Sequence, residues 1–371
     1  MVGTRSAAGT APSPAASRVA ARTRIAITAP GKPEPRRHIS PNLTANPDER
    51  YAAIVSVAES PIDADLLWAG TNDGNVWVRE NGTADWTRVS DNISGVPEHY
   101  WVKRIEASHH EPGRAYAVFD GHRWNDFAPY VYTTDDFGQS WTNITNNLPE
   151  GSIYIIREDF RNPDLLFSGS EFAIYMSIDR GEHWSRFMNE MPTVPVHDLI
   201  IHPRDADLIA GTHGRGAWIV DNITPLQQLT DEVLESDVHL FEVRPEVQWL
   251  STYEFSWTTQ KRFYKDNPPT GSKIVYYLRS EHSDSARVEV LDVTGKVVRT
   301  LAGAADTGIN TVFWDQREPP PPEEEENSRR RRRGPRLGAL LPPGENLVRL
   351  TVGDEVRTTK LGLEEHVPGY M

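Results

Sequence analysis

Short runs of β-branched and aromatic residues, separated by Gly, Pro, Asp, Asn and Ser, fill the chain from about residue 50 to 220. Apolar positions at i, i+3 and i+4 are not sustained there, so the pattern predicts strands and not helices. Four segments share one layout. The first holds Ile54–Val57, Leu66–Thr71, Val76–Val78 and Trp86–Val89; the second runs from Val102 through Ala115–Val118 and Tyr130–Tyr132 to Trp141–Ile144. The third runs from Ile153 through Leu165–Gly169 and Ile174–Met176 to Trp184–Phe187. The fourth runs from Val196 through Leu208–Thr212 to Ala217–Val220.

Taking Gly70, Phe119, Gly169 and Gly211 as equivalent gives spacings of 49, 50 and 42 residues. A repeating unit of four short strands at that period is the signature of a β-propeller blade. The expected fold class is therefore all-β, with about four blades over residues 37–229.

Between the third and fourth runs of two repeats lie Thr134–Trp141 and Ser177–Trp184, both of the form Ser/Thr-x-Asp-x-Gly-x-x-Trp. The carboxylate can cap turn amides, Gly permits positive φ, and Trp packs between blades. This resembles the Asp-box hairpin of sialidase-like (BNR) propellers, which makes Asp136, Gly138, Trp141, Asp179, Gly181 and Trp184 structural residues. Residues 39–229, with Gly211–Arg215 and Asn222–Leu226, resemble the last blades of bacterial sortilin-like proteins labelled "glycosyl hydrolase". Relatives by architecture are sortilin, xyloglucanase-type glycoside hydrolases and photosystem assembly factors. The resemblance implies export, hence an extracellular or periplasmic location. Those proteins are longer, so the chain reads as the C-terminal portion of a larger architecture, with missing N-terminal blades or another subunit as partner.

Residues 1–36 lack any apolar run and read as a leader without a packed core. Residues 230–270 read as a connector. From 271 to 371 strands return, with a hairpin turn at Asp292–Lys296. Together with Trp314–Asp315 and Pro342–Asn346, this resembles the Ig-like domain of the flagellar hook-capping protein and implies a β-sandwich. Residues 319–336 interrupt it with prolines, glutamates and arginines, a solvated insertion of opposed charges.

Composition narrows the chemistry. The net charge of −14 argues against nucleic acid as partner. No apolar stretch is long enough for a membrane helix. The absence of cysteine removes disulfides, thiolate metal sites and cysteine nucleophiles. His109–His110 and His197/His202 do not have ligand spacing on a defined element, so neither a metal nor a cofactor is expected. The Asn-x-Ser/Thr tripeptides at Asn42, Asn81, Asn92, Asn143 and Asn222 read as turn chemistry.

Blade geometry places the turns between the second and third strands and the crossovers on one face, opposite the Asp-box turns. Candidate ligand-binding residues on that face are Trp101, His122, Arg123, Glu171, His213 and Arg215. Asn72, Asp73, His99, Tyr100, Asp120, Trp124, Tyr154 and His197 lie there too. Gly121–Pro129 is an enlarged loop, and Asp126 and Glu171 are the carboxylates a catalytic reading would use. Glycoside hydrolysis needs a carboxylate pair; sialidase chemistry needs convergent arginines, drawn from Arg104, Arg123, Arg157 and Arg215. No spacing marks either set. The expectation is a binding or assembly protein for a glycan or peptide ligand, with a glycoside hydrolase as the alternative.

Overall fold

The computed structural model describes residues 53–80, 82, 85–188, 191–248, 271–283, 285–321 and 337–366. The leader, the second half of the connector and most of the charged insertion lie outside the described residues. The chain divides into two compact units at Ile223/Thr224. Among the described residues no helix is long and apolar enough to cross a membrane.

The first unit is a set of antiparallel sheets. β1 (Ile54–Glu59), β2 (Leu67–Thr71), β3 (Val76–Arg79) and β4 (Thr87–Arg88) form blade one. β5 (Trp101–Ala107), β6 (Ala115–Asp120), β7 (Tyr130–Thr134) and β8 (Thr142–Asn143) form blade two. β9 (Ile153–Glu158), β10 (Leu166–Ser170), β11 (Ile174–Ser177) and β12 (Ser185–Arg186) form blade three. β13 (Val196–Ile201), β14 (Leu208–Thr212) and β15 (Ala217–Val220) form blade four, without a fourth described strand. The first strands stand side by side, β5 between β1 and β9, and β9 against β13. This is the radial, propeller-type arrangement that the repeats predict.

Both flanks of a middle blade are covered, so β6 and β10 are buried along their whole length. Trp68, Val76 and Val78 of blade one share a core with Val102, Ile105, Ala117 and Phe119 of blade two. Tyr116, Val118 and Val131 share another with Ile153, Ile156 and Leu166 of blade three. Each large side chain so buried contributes about 1.5–3 kcal/mol. The next-blade flank of blade four carries Ile200, Ile209 and Ile219 in one cross-strand row, with Ile200 50% and Ile219 56% exposed.

Polar bonds fix the blades' spacing. The Ile105 amide donates to Ser56 Oγ across blades one and two, at 2.9 Å. Glu158 is a buried hub: its carboxylate accepts from Ser108 Oγ, the His109 amide and Tyr116 OH, joining blade three to blade two. His110 Nε2 lies 2.8 Å from the Asp159 carbonyl. His109 and His110 are thus part of a blade junction.

Pairing corrects the repeat alignment. Ser56 pairs with Gly70, Arg104 with Val118, Ile155 with Gly169 and Asp198 with Gly211. The blade-two equivalent of Gly70 is therefore Val118, one residue before Phe119.

The second unit opens with α1 (Thr224–Gln227) and α2 (Asp231–Glu235). β16 (Val238–Leu240), β18 (Ser272–Leu278) and β21 (Gly308–Trp314) form one sheet. β17 (Glu246–Gln248), β23 (Glu355–Glu365), β22 (Gly344–Val352), β19 (Ala286–Leu291) and β20 (Val297–Gly303) form the other, in that order. Alternate residues Ile274, Tyr276 and Leu278 meet Val288, Val290, Val348 and Leu350 in one core. The connector is corrected here: Val238–Leu240 and Glu246–Gln248 are strands of these two sheets, so the second unit begins well before residue 271.

Candidate functional site

Every described inner strand of the first unit carries an irregularity at the same place. Partners skip from Ile54 to Ser56, from Val102 to Arg104, from Ile153 to Ile155 and from Val196 to Asp198. The skipped residues are Val55, Lys103, Tyr154 and His197. A β-bulge re-aims its extra residue away from the regular alternation. All four line one open cleft of about 270 Å³, completed by Trp101 and Arg104. The site is therefore built by one backbone device used four times.

Tyr154 and His197 stack with centroids 4.5 Å apart, and His197 lies 5.4 Å from His213. Lys103 Nζ sits 5.0 Å from the centre of the Tyr154 ring, and the Arg123 guanidinium 3.5 Å from that of Trp101. Burial, helped by the charges of Glu171 and Asp120, pushes the Tyr154 hydroxyl up to about 12. Burial and the charges of Lys103 and His213 lower the pKa of His197, against the pull of Asp120. The imidazole is thus neutral at pH 7.

Further along the inner strands lies an ionic network. Arg157 Nη1 donates to both Glu106 oxygens at 2.6 and 2.7 Å, and its Nε donates to the Leu199 carbonyl. Arg104 pairs with Asp198 at 2.5 Å, and Arg157 approaches the same carboxylate at 3.9 Å. Burial raises the Glu106 carboxyl to about 7, a shift that Arg157 and Arg104 oppose. Arg104 and Arg157 do converge, but on the protein's own carboxylates, which leaves a sialidase-type arginine cluster without its members.

Of the predicted residues, Trp101 lines the cleft. Arg123 and His213 touch lining residues, and the Glu171 charge acts on Tyr154. His122 is held through Nδ1 by buried Asp120 at 2.7 Å. Arg215 stands exposed at the β14–β15 turn, where its carbonyl accepts from Trp218 Nε1. Asn72 and Asp73 serve their own turn, accepting from the Ala53 amide and from Thr71 Oγ1. Sequence reasoning missed Val55, Lys103, Glu106 and Asp198.

Asp126 is a loop anchor. Its carboxylate accepts from Tyr100 OH and Tyr130 OH at 2.8 Å and from the Ala128 amide at 2.9 Å. Burial acts to raise its pKa, but these donors outweigh it and hold the carboxyl below the usual range. A general acid needs the opposite shift.

The two Ser/Thr-x-Asp-x-Gly-x-x-Trp turns are built alike. Asp136 accepts from Thr134 Oγ1, the Ser140 amide and Ser140 Oγ; Asp179 accepts from Ser177 Oγ and the His183 amide. Gly138 and Gly181 have φ of +83° and +90°, and a Cβ there would strike Val89 or Ile144 of the preceding blade. Asn92 and Asn146 of those blades donate to the Gly138 and Gly181 carbonyls. Trp141 packs edge-on against Trp68, and Trp184 Nε1 donates to the Ile144 carbonyl. Asp179, Glu182 and His183 lie together on the second turn, where His183 Nδ1 bonds Asp179.

The family model described as "Sortilin, neurotensin receptor 3" matches residues 129–263, less than half of the chain. No curated protein sequence matches. Among solved structures, the GH74 enzyme of Niastella koreensis is 12% identical, with a TM-score of 0.38 over 48% of this chain and 29% of its own. YCF48 bound to a D1 peptide is 20% identical, with a TM-score of 0.35 over 46% of this chain and 50% of its own. YCF48 from Cyanidioschyzon merolae is 15% identical, with a TM-score of 0.34 over 46% of this chain and 56% of its own. The chain thus spans about half the length of YCF48 and less of the GH74 enzyme. Its class is an all-β protein of propeller type, and part of the chain is similar to the sortilin family model.

Proposed function

We propose that the chain is a binding or assembly protein that takes a peptide or glycan ligand in the bulge-lined cleft, without catalysing a reaction. The single observation that carries this reading is the placement of Val55, Lys103, Tyr154 and His197 by equivalent bulges around one cleft. Bulges are maintained where a side chain must be re-aimed, and chemically unlike residues at equivalent positions make a surface for recognition. The peptide is the favoured ligand. A sugar needs an open ring face, whereas Arg123 covers Trp101 and His197 covers Tyr154. The sortilin-type segment supports a location outside the cytoplasm, and the two-sheet unit reads as an Ig-like accessory module.

The test is a peptide panel and a glycan array applied to the full chain and to a Tyr154→Ala/His197→Ala variant. Binding by the parent and its loss in a variant of unchanged melting temperature is the expected result. Equal binding by both proteins would overturn the site.

A further inference from the structure

The cleft holds two cations in different situations. Arg104 is paired with Asp198. Lys103 has no carboxylate within 4 Å among the described residues; its ammonium rests over the Tyr154 ring instead. Of the acidic side chains on the neighbouring strands and turns, Asp198 is engaged by Arg104 and Arg157, Asp120 by His122 and Glu106 by Arg157, while the Glu171 charge acts on Tyr154. The chain as a whole carries −14. An ammonium without a salt-bridge partner in a concave mouth presents its positive charge to an incoming anion, and concave walls focus such a field. A lysine ammonium is a point charge with rotatable donors, suited to a single carboxylate.

Building on the cleft as the ligand site, we propose that the ligand is an extended peptide bearing an acidic side chain, and that Lys103 Nζ receives its carboxylate. Tyr154 and His197 form the wall beside it, and Val55 supplies an apolar contact. Lys103 then sets specificity by charge, while the rest of the cleft supplies shape.

The experiment uses the full chain and short synthetic peptides with capped ends, in matched pairs differing only as Glu or Gln at one position. A second set carries a free terminal carboxylate in place of the acidic side chain. The Glu members are expected to bind roughly tenfold tighter than their Gln partners, the value of one partly desolvated charge pair. Lys103→Gln abolishes that preference, Lys103→Arg retains it, and Lys103→Glu reverses it toward the Gln members. Melting temperatures show that each variant is folded. Binding that persists without a Glu preference, or a preference that survives Lys103→Glu, overturns the charge assignment and leaves the cleft as a site. A preference confined to the terminal carboxylate overturns the side-chain source. Absence of binding by every peptide, whatever its charge, overturns the reading of the cleft itself.

Discussion

The ring of Tyr154 lies on the imidazole of His197, 4.5 Å between centroids and 15° from parallel. The two residues come from neighbouring blades, and each is the unpaired residue of its inner strand. The stack exists because the same irregularity occurs twice at the same height. Its electrostatics are testable. Burial lowers the His197 pKa first, and the Lys103 and His213 charges lower it further. Replacing Lys103 by Gln removes one of those charges, so the His197 pKa is expected to rise. Histidine ring-proton resonances followed against pH report this; a value that stays fixed or falls would separate Lys103 from the stack.

Glu106 links stability to pH. Its folded pKa is about 7 against an ordinary 4.5, because burial outweighs Arg157. A carboxyl that holds its proton more tightly when folded stabilises most below pH 4.5, and that contribution fades as pH rises toward 7. The loss reaches about 3 kcal/mol across this window. Glu106→Gln should flatten the melting-temperature profile between those pH values. An equally steep decline in the variant would assign it to other groups.

Arg157 holds that carboxylate and the Leu199 carbonyl together. Arg157→Leu leaves Glu106 buried without its partner and should cost about 3–5 kcal/mol in denaturant unfolding. The double variant with Glu106→Leu should recover part of it. A single variant as stable as the parent would show that the network bears no load between blades two and three.

Gly138 and Gly181 are spacers between blades. Gly138→Ala combines a left-handed φ with a Cβ pressed on Val89, and Gly181→Ala meets Ile144 in the same way. Each should destabilise by about 1–3 kcal/mol. Urea midpoints check this, with an exposed-site alanine substitution as the reference. No change in either would contradict the packing described.

The Asp126 anchor predicts a local effect. Asp126→Asn replaces a carboxylate accepting three donors. Limited proteolysis within residues 121–129 should become faster while the global melt falls by only a few degrees. An unchanged cleavage rate would show that the loop is held by other contacts.

The two Ser/Thr-x-Asp-x-Gly-x-x-Trp turns were legible in the sequence because their chemistry is local: Thr134, Asp136, Gly138 and Ser140 satisfy one another within seven residues. The blades were legible because four strand runs recur. The bulges were not. Their position is set by pairing with a second strand, as in Val102 with Phe119 and Arg104 with Val118, and no local residue type announces it. The four extra residues also share no chemistry, so the repeat comparison passes over them. The anchoring role of Asp126 was not legible, because its partner Tyr100 lies 26 residues away in sequence. The connector hid β16 and β17 because each is only three residues long, and partners elsewhere in the chain complete their ladders.

The chain has no cysteine, so one thiol at a time can be placed along the inner strands. Labelling by a water-soluble maleimide should be fast with cysteine at 55, 103, 154 or 197. It should be slow at the paired, buried neighbours 56, 155 and 196. Uniform rates along the strands, or fast labelling at the paired positions, would contradict the bulge-built cleft.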